Sequence, residues 1–180
     1  MPRPTQREVI LDAFQDLIVE NGATNVTLVE AATRAGVSKG GLLYHFPSKS
    51  DLFAGLCERL AATIDTAIDQ APDDPAGLVR WYLNAATDVV VSQDTLWLSL
   101  FAVAHAIDND DIAADLRELF ARYSTPLAAL PVVVAEHVRL VGDGLYFNAL
   151  IGGPNPDPAA LVQITDLLVR NAQAAPKRCD

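Results

Sequence analysis

The stretch that most limits how this chain can fold is TLVEAATRAGVSKGGLLYHFPSK, residues 27–49. Thr27 and Glu30 have the spacing of a capping box, which starts a helix. Leu28, Ala31, Ala32 and Ala35 give that helix a small apolar face. Gly36 ends it, because glycine takes the left-handed conformation after a helix without steric cost. Val37 plugs the corner, and Ser38 caps a second short helix over residues 39–44. Two helices joined by so short a glycine turn form a helix-turn-helix pair.

The flanks extend the pattern. Thr5 and Glu8 form another capping box, and Val9, Ile10, Ala13, Phe14, Leu17 and Ile18 then recur at helical spacing until Asn21-Gly22. This first helix should pack under the pair and complete a three-helix head. Ser48 and Asp51 cap a fresh start after Pro47. Leu52, Phe53, Leu56, Leu60, Ile64 and Ile68 carry a long helix to about residue 70. The APDDP cluster at 71–75 is a turn.

From residue 76 the periodicity is helical throughout. Helices are expected over about 76–91, 93–107, from 110 toward Pro126, 132–151 and 159–172, with a loop over 152–158. Pro126 and Pro131 should break the third of these. The 132–151 helix is apolar nearly all round, which asks for burial on several sides. The last has Leu161, Ile164, Leu168 and Asn171 on one stripe. The expectation is an all-α fold: an N-terminal helix-turn-helix head over residues 1–47 and a C-terminal helical bundle over 48–180.

The string AGVSKGGLLYHFPSK resembles the signature of the TetR (tetracycline-repressor-like) family of transcriptional regulators. Ala31, Ala32, Ala35–Ser38, Gly40, Tyr44, His45, Phe46 and Lys49 carry the likeness. The resemblance implies a DNA-binding head, a ligand-binding and dimerisation bundle, and a homodimer. It implies DNA contacts from Tyr44, His45 and Lys49. The second helix of such a pair can enter the major groove, and its face offers Lys39, Gly40, Gly41, Leu43, Tyr44 and His45, with Leu42, Phe46 and Val37 left to the core. Lys39 can reach a guanine edge or a phosphate. The helix starts at Thr27 and Ser48 offer amides to an anion; Thr27, and Ser38 at the cap of the second helix, complete the candidate DNA-binding set. Two positions depart from the commoner family pattern: Gly41, where a hydroxyl residue is frequent, and Leu43, where tyrosine is.

Charge tempers that expectation. The net charge is −10, yet residues 1–50 hold five basic and five acidic residues. The excess acid lies in the remainder, so long-range attraction to DNA should be modest.

For the bundle, Trp81, Trp97, Phe101, His105, Phe120, Tyr123 and Phe147 are candidates to line a ligand pocket, with Tyr82 and Tyr146 also available. Asp88 and Asp143 fall beside apolar residues, where a buried acid needs a partner. A lipophilic aromatic ligand, cationic rather than anionic, fits that set. The stretch VRLVGDGLYF, residues 138–147, is similar to a helix of multidrug-sensing members, which implies control of an efflux gene. The reading is a ligand-responsive repressor. Its alternatives are a ligand-independent DNA-binding regulator, or a helical small-molecule-binding module with a vestigial head.

Other chemistry finds no support in the sequence. No HExxH, CxxC, GxSxG or Gly-rich phosphate loop occurs, so no enzyme, metal site or cofactor is expected. Acid pairs such as Asp73-Asp74 and Asp110-Asp111 sit at turns and read as caps. Cys57 and Cys179 make no disulfide framework. No apolar run reaches membrane-spanning length and the N-terminus has no secretory pattern, which points to the cytoplasm.

Overall fold

The structure, a computed structural model, describes residues 4–92, 110–150, 153–154 and 156–174, with the backbone alone at 87–92, 110–113 and 149–150. Among the described residues there are eight α-helices, one 3-10 helix and no strand. They are α1 (Gln6–Asn21), α2 (Leu28–Arg34), α3 (Lys39–His45), α4 (Lys49–Asp69), α5 (Pro75–Ser92), α6 (Asp110–Tyr123), the 3-10 helix Thr125–Ala129, α7 (Val132–Leu150) and α8 (Pro158–Ala174). The helix expected over 93–107 lies outside the described residues. The described residues fall into two compact units, one from residues 4–64 and 110–120, the other from residues 65–92 and 121–174.

The first unit is built on local caps. Both capping boxes form in full: the Thr5 side chain accepts from the Glu8 amide while Glu8 reaches back, and Thr27 and Glu30 do the same. Ser48 Oγ donates to Asp51 Oδ2 at 2.6 Å and accepts from the Asp51 amide. Gly36 has φ +67°, and the amide of Val37 closes the end of α2 on the carbonyl of Ala32. That positive φ is why glycine stands there.

Behind these caps lies a closed core: Ile10, Leu11, Phe14, Leu17 and Ile18 of α1, Ala31 and Ala32 of α2, Leu42 of α3, Phe46, and Leu52, Phe53, Leu56 and Leu60 of α4. Each large member contributes about 1.5–3 kcal/mol by burial. Phe14 and Phe53 meet at 5.1 Å between ring centroids. Gly55 lets α4 approach, since a Cβ there would stand 2.9 Å from Phe46 Cε1 and 3.0 Å from Leu11 Cδ2. Arg59 donates to Asp12 Oδ1, Gln15 Oε1 and the Glu8 carbonyl, and Arg7 pairs with Glu58. These bonds set the register of α4 along α1, at roughly 0–1 kcal/mol per exposed pair.

In the second unit, Leu78, Val79, Tyr82 and Leu83 of α5 pack with Leu127, Leu130, Val134 and Val138, and with Leu168, Val169 and Ala172 of α8. Asp74 accepts from the Gly77 amide, so the expected cap at the acid pair is present; Asp157 does the same for Ala159 and Ala160. Pro126 falls in the 3-10 helix and Pro131 follows it, so the break occurs where the prolines stand.

The stripe expected on the last helix differs. Leu168 is buried with Val169 and Ala172, while Ile164 and Asn171 are exposed. Period alone admits two apolar seams on this helix, and packing against α5 selects the one through Leu168 and Val169. The uncovered side keeps Ile164, 41% exposed, with Leu167, 50% exposed, one turn on; Val162, 61% exposed, stands on a different side of the helix. On α7, Val132, Val133, Leu140 and Phe147 are also exposed. Of the burial on several sides expected for that helix, the described residues show the side through Val134 and Val138.

Candidate nucleic-acid interface

Helix α3 turns its core side inward through Leu42, with Phe46 buried just beyond it. The opposite side carries Gly40 and Tyr44, one turn apart. Tyr44 is 85% exposed, the most exposed large apolar side chain in the described chain. Lys39, Gly40 and Ser38 are exposed; Gly41, Leu43, His45 and Lys49 are half-buried. The candidate residues from 38 to 45 therefore share one short helix, with Leu43 and Gly41 on its flanks.

Ser38 acts as the N-cap, accepting from the Gly41 amide at 3.0 Å. Neither glycine of α3 has a positive φ. A Cβ at Gly40 would meet nothing closer than Ser38 Oγ at 4.0 Å, and at Gly41 the same oxygen at 3.3 Å. The protomer's own packing thus leaves room for a side chain at Gly40, although each glycine costs about 1 kcal/mol in a helix.

The amide sites expected at the helix starts are occupied from within. The Thr27 amide donates to Glu30 Oε2 at 2.8 Å, and the Ser48 amide to Asp51 Oδ2 at 2.8 Å. The capping box that begins each helix consumes the donor an anion would use. The hydrogen bonds from Thr27 hold the Glu30 carboxyl below its ordinary value.

Lys49 is also engaged. Its Nζ donates to the carbonyls of Ala23 at 2.7 Å and Thr24 at 3.4 Å, and lies 5.8 Å from the Phe53 ring centroid. Burial lowers its pKa. It staples the α1–α2 turn to α4. Arg34 is held by Glu20 through two hydrogen bonds, and Arg7 by Glu58. Among the described residues up to position 50, Lys39 is the cation without such a partner. His45 Nε2 stands 3.3 Å from Gln6 Oε1 and edge-on to Tyr44.

The ligand candidates separate. Trp81 and Tyr123 stack at 5.0 Å and 29°, and Tyr82 lies 5.4 Å from Tyr123. Tyr82 donates to Asp143 Oδ1 at 2.9 Å, and Arg139 to Asp143 Oδ2 at 3.0 Å. Asp143, its side chain 42% exposed, thus has two partners within the protomer. Burial, then Asp143, pushes the Tyr82 hydroxyl far above its ordinary pKa. Phe147 stands 54% exposed, and Phe120 is half-buried on α6. Trp97, Phe101 and His105 lie outside the described residues, as does the Asp88 side chain. A groove of about 280 Å³ opens between α5 and α8, lined by Arg80, Leu83, Asn84, Leu161, Val162, Thr165 and Asp166. None of the candidate ligand residues lines it.

Among the described residues no group of His, Cys, Asp and Glu could hold a metal, and no helix is long and apolar enough to cross a membrane. Sequence reasoning missed Gln6, Arg59 and the staple made by Lys49. All three pair with residues far away in the chain, and spacing carries no signal of that.

Two family descriptions match the sequence: bacterial regulatory proteins, tetR family, over residues 10–56, and tetracyclin repressor-like, C-terminal domain, over residues 76–173. The chain is 27% identical over 179 residues to the HTH-type transcriptional regulator BetI of Brucella abortus, covering 91% of this chain and 89% of that one. It is 29% identical over 129 residues to the nucleoid occlusion factor SlmA of Photobacterium profundum, covering 69% of this chain. It spans just under two thirds, 66%, of that relative's length. In fold it resembles Salmonella enterica GusR, with a TM-score of 0.71 at 18% identity over 94% of this chain and 96% of that one. It also resembles NalD, the secondary repressor of the MexAB-OprM multidrug efflux pump in Pseudomonas aeruginosa, with a TM-score of 0.68 at 18% identity, covering 92% and 94%.

Proposed function

We propose that this chain, which belongs to the tetR family of bacterial regulatory proteins, is a ligand-responsive transcriptional repressor. The family consists of DNA-binding regulators rather than enzymes. The finer reading is that residues 1–47 bind an operator, that residues 48–180 bind a small ligand and dimerise, and that the protein acts in the cytoplasm.

One observation carries the DNA-binding assignment: α3 projects Tyr44, 85% exposed, from a head whose core is otherwise closed. An exposed ring on a rigid base costs little conformational entropy when it meets a surface. In this reading Lys39, Gly40, Gly41, Leu43, Tyr44 and His45 face the duplex, with Thr27, Ser38 and Lys49 at the edge. The uncovered apolar side chains of α7 and α8 support a homodimer, whose two α3 helices would reach major grooves about 34 Å apart. A ligand that favours a dimer of different spacing would release the operator by population shift.

The ligand in this reading is lipophilic and aromatic, held near Trp81 and Tyr123. A cationic group would have to compete with Arg139 for Asp143. The regulated gene would encode an efflux transporter. A ligand-independent regulator is the second reading, favoured by the mutual packing of Trp81, Tyr82 and Tyr123. The two part in one titration. Lipophilic aromatic compounds are added to the protein bound to a duplex it has selected. Release by a compound supports the sensor; retention with every compound supports the second reading.

A further inference from the structure

Gln6 is the first residue of α1, and the cap of that helix does not use it: Thr5 and Glu8 complete the capping box between themselves. Its side chain turns instead to a residue 39 positions away. Gln6 Oε1 stands 3.3 Å from His45 Nε2. His45 in turn meets Tyr44 with ring centroids 5.1 Å apart and planes at 82°. Tyr44 has no other hydrogen bond or ring contact among the described residues.

We propose that Gln6 is a positioning residue for the Tyr44–His45 edge of the DNA-facing helix. The proposal rests on the DNA-binding reading above and adds to it the residue that orients the contact. A neutral imidazole has one N–H and one acceptor nitrogen. With an amide oxygen beside Nε2, the proton sits on Nε2 and the ring plane is fixed. The edge-on arrangement is the favoured geometry for two aromatic rings, so fixing the imidazole also fixes the phenol. Without Gln6 the imidazole is free to change tautomer and rotamer, and Tyr44 loses its one neighbour of defined orientation. The order lost must be restored when DNA binds, and that weakens the complex.

A double-mutant cycle tests this. The parent selects a duplex from a random-sequence pool, and anisotropy then compares the parent, Gln6→Ala, His45→Ala and the double variant on that duplex. The expected result is that Gln6→Ala weakens binding about threefold to tenfold, that its melting temperature matches the parent's, and that the double variant binds as His45→Ala does. Imidazole ¹⁵N resonances of His45 should show the Nε2–H tautomer alone in the parent and a mixture of the two neutral tautomers in Gln6→Ala. Binding by Gln6→Ala equal to the parent's, or losses that multiply in the double variant, would overturn the inference and leave the DNA-binding reading standing. A parent that enriches no duplex would overturn that reading and the inference with it.

Discussion

Tyr82 donates its hydroxyl proton to Asp143 Oδ1 at 2.9 Å, from one helix to another. The same ring closes on Gly142, where a Cβ would stand 2.5 Å from Cε1 and 2.7 Å from Cδ1. One residue without a side chain and its neighbour with a carboxylate thus seat a single tyrosine. Tyr82→Phe should cost about 1–2 kcal/mol by leaving Asp143 with Arg139 alone. Gly142→Ala should cost about 1–3 kcal/mol by overpacking. Urea unfolding measures both. The pH dependence has a definite sign. Tyr82 stays protonated in the folded state well above the pH at which it ionises when unfolded. The folded state then binds more protons, so stability should fall as pH rises past about 10. Tyr123, raised to about 12 by burial, acts in the same direction. Tyr82→Phe should flatten the alkaline limb in part, leaving the contribution of Tyr123.

Lys39 and Lys49 should separate in their effects. Lys49 is spent on the carbonyls of Ala23 and Thr24, so Lys49→Ala should lower stability by about 1–2 kcal/mol as well as weaken DNA binding. Lys39 has no such bond, so Lys39→Ala should leave the melting temperature unchanged and reduce the salt slope of duplex binding by about 1. Melting curves and anisotropy at low and at high salt would check the pair. A parent-like melt for Lys49→Ala would remove the staple from the account.

Gly40 and Gly41 offer a contrast of opposite signs. Alanine at Gly40 meets open space and should raise stability by about 0.5–1 kcal/mol through helix propensity. If the glycines serve close approach to DNA, the same change weakens binding to the selected duplex. Stability and affinity rising together would show that no such approach occurs there.

What the sequence made legible was local. The pairs Thr5–Glu8, Thr27–Glu30 and Ser48–Asp51 lie three residues apart, and a cap needs no tertiary contact to be recognised. The glycine at 36 was readable for the same reason, since its φ follows from the end of α2. Leu42 and Phe46 declared themselves as core by spacing. The phase of α8 did not, because Leu161-Ile164-Leu168 and Leu168-Val169-Ala172 are equally periodic and only α5 decides between them. Nor did the occupation of the Thr27 amide, although Glu30 implied it: the residue that completes the cap fills the anion site. The pairing of Asp143 with Tyr82 depends on the approach of two helices, which no spacing encodes.

The uncovered seam of α8 gives a discriminating pair of neighbours. Leu167 is 50% exposed and Leu168 is 5% exposed. Leu167→Glu should keep the protomer folded and shift it toward monomer in sedimentation, with loss of duplex binding. Leu168→Glu should unfold the protomer by burying a charge. A dimeric Leu167→Glu protein would place the interface elsewhere.

The most direct test of the account is selection by the intact protein from a random duplex pool, followed by footprinting of the winner. The account predicts two inverted half-sites centred about one helical turn apart, binding that weakens with salt only shallowly, and loss of that binding in Tyr44→Ala at unchanged melting temperature. Enrichment of no sequence, or a Tyr44→Ala variant that binds the selected duplex as the parent does, would contradict it.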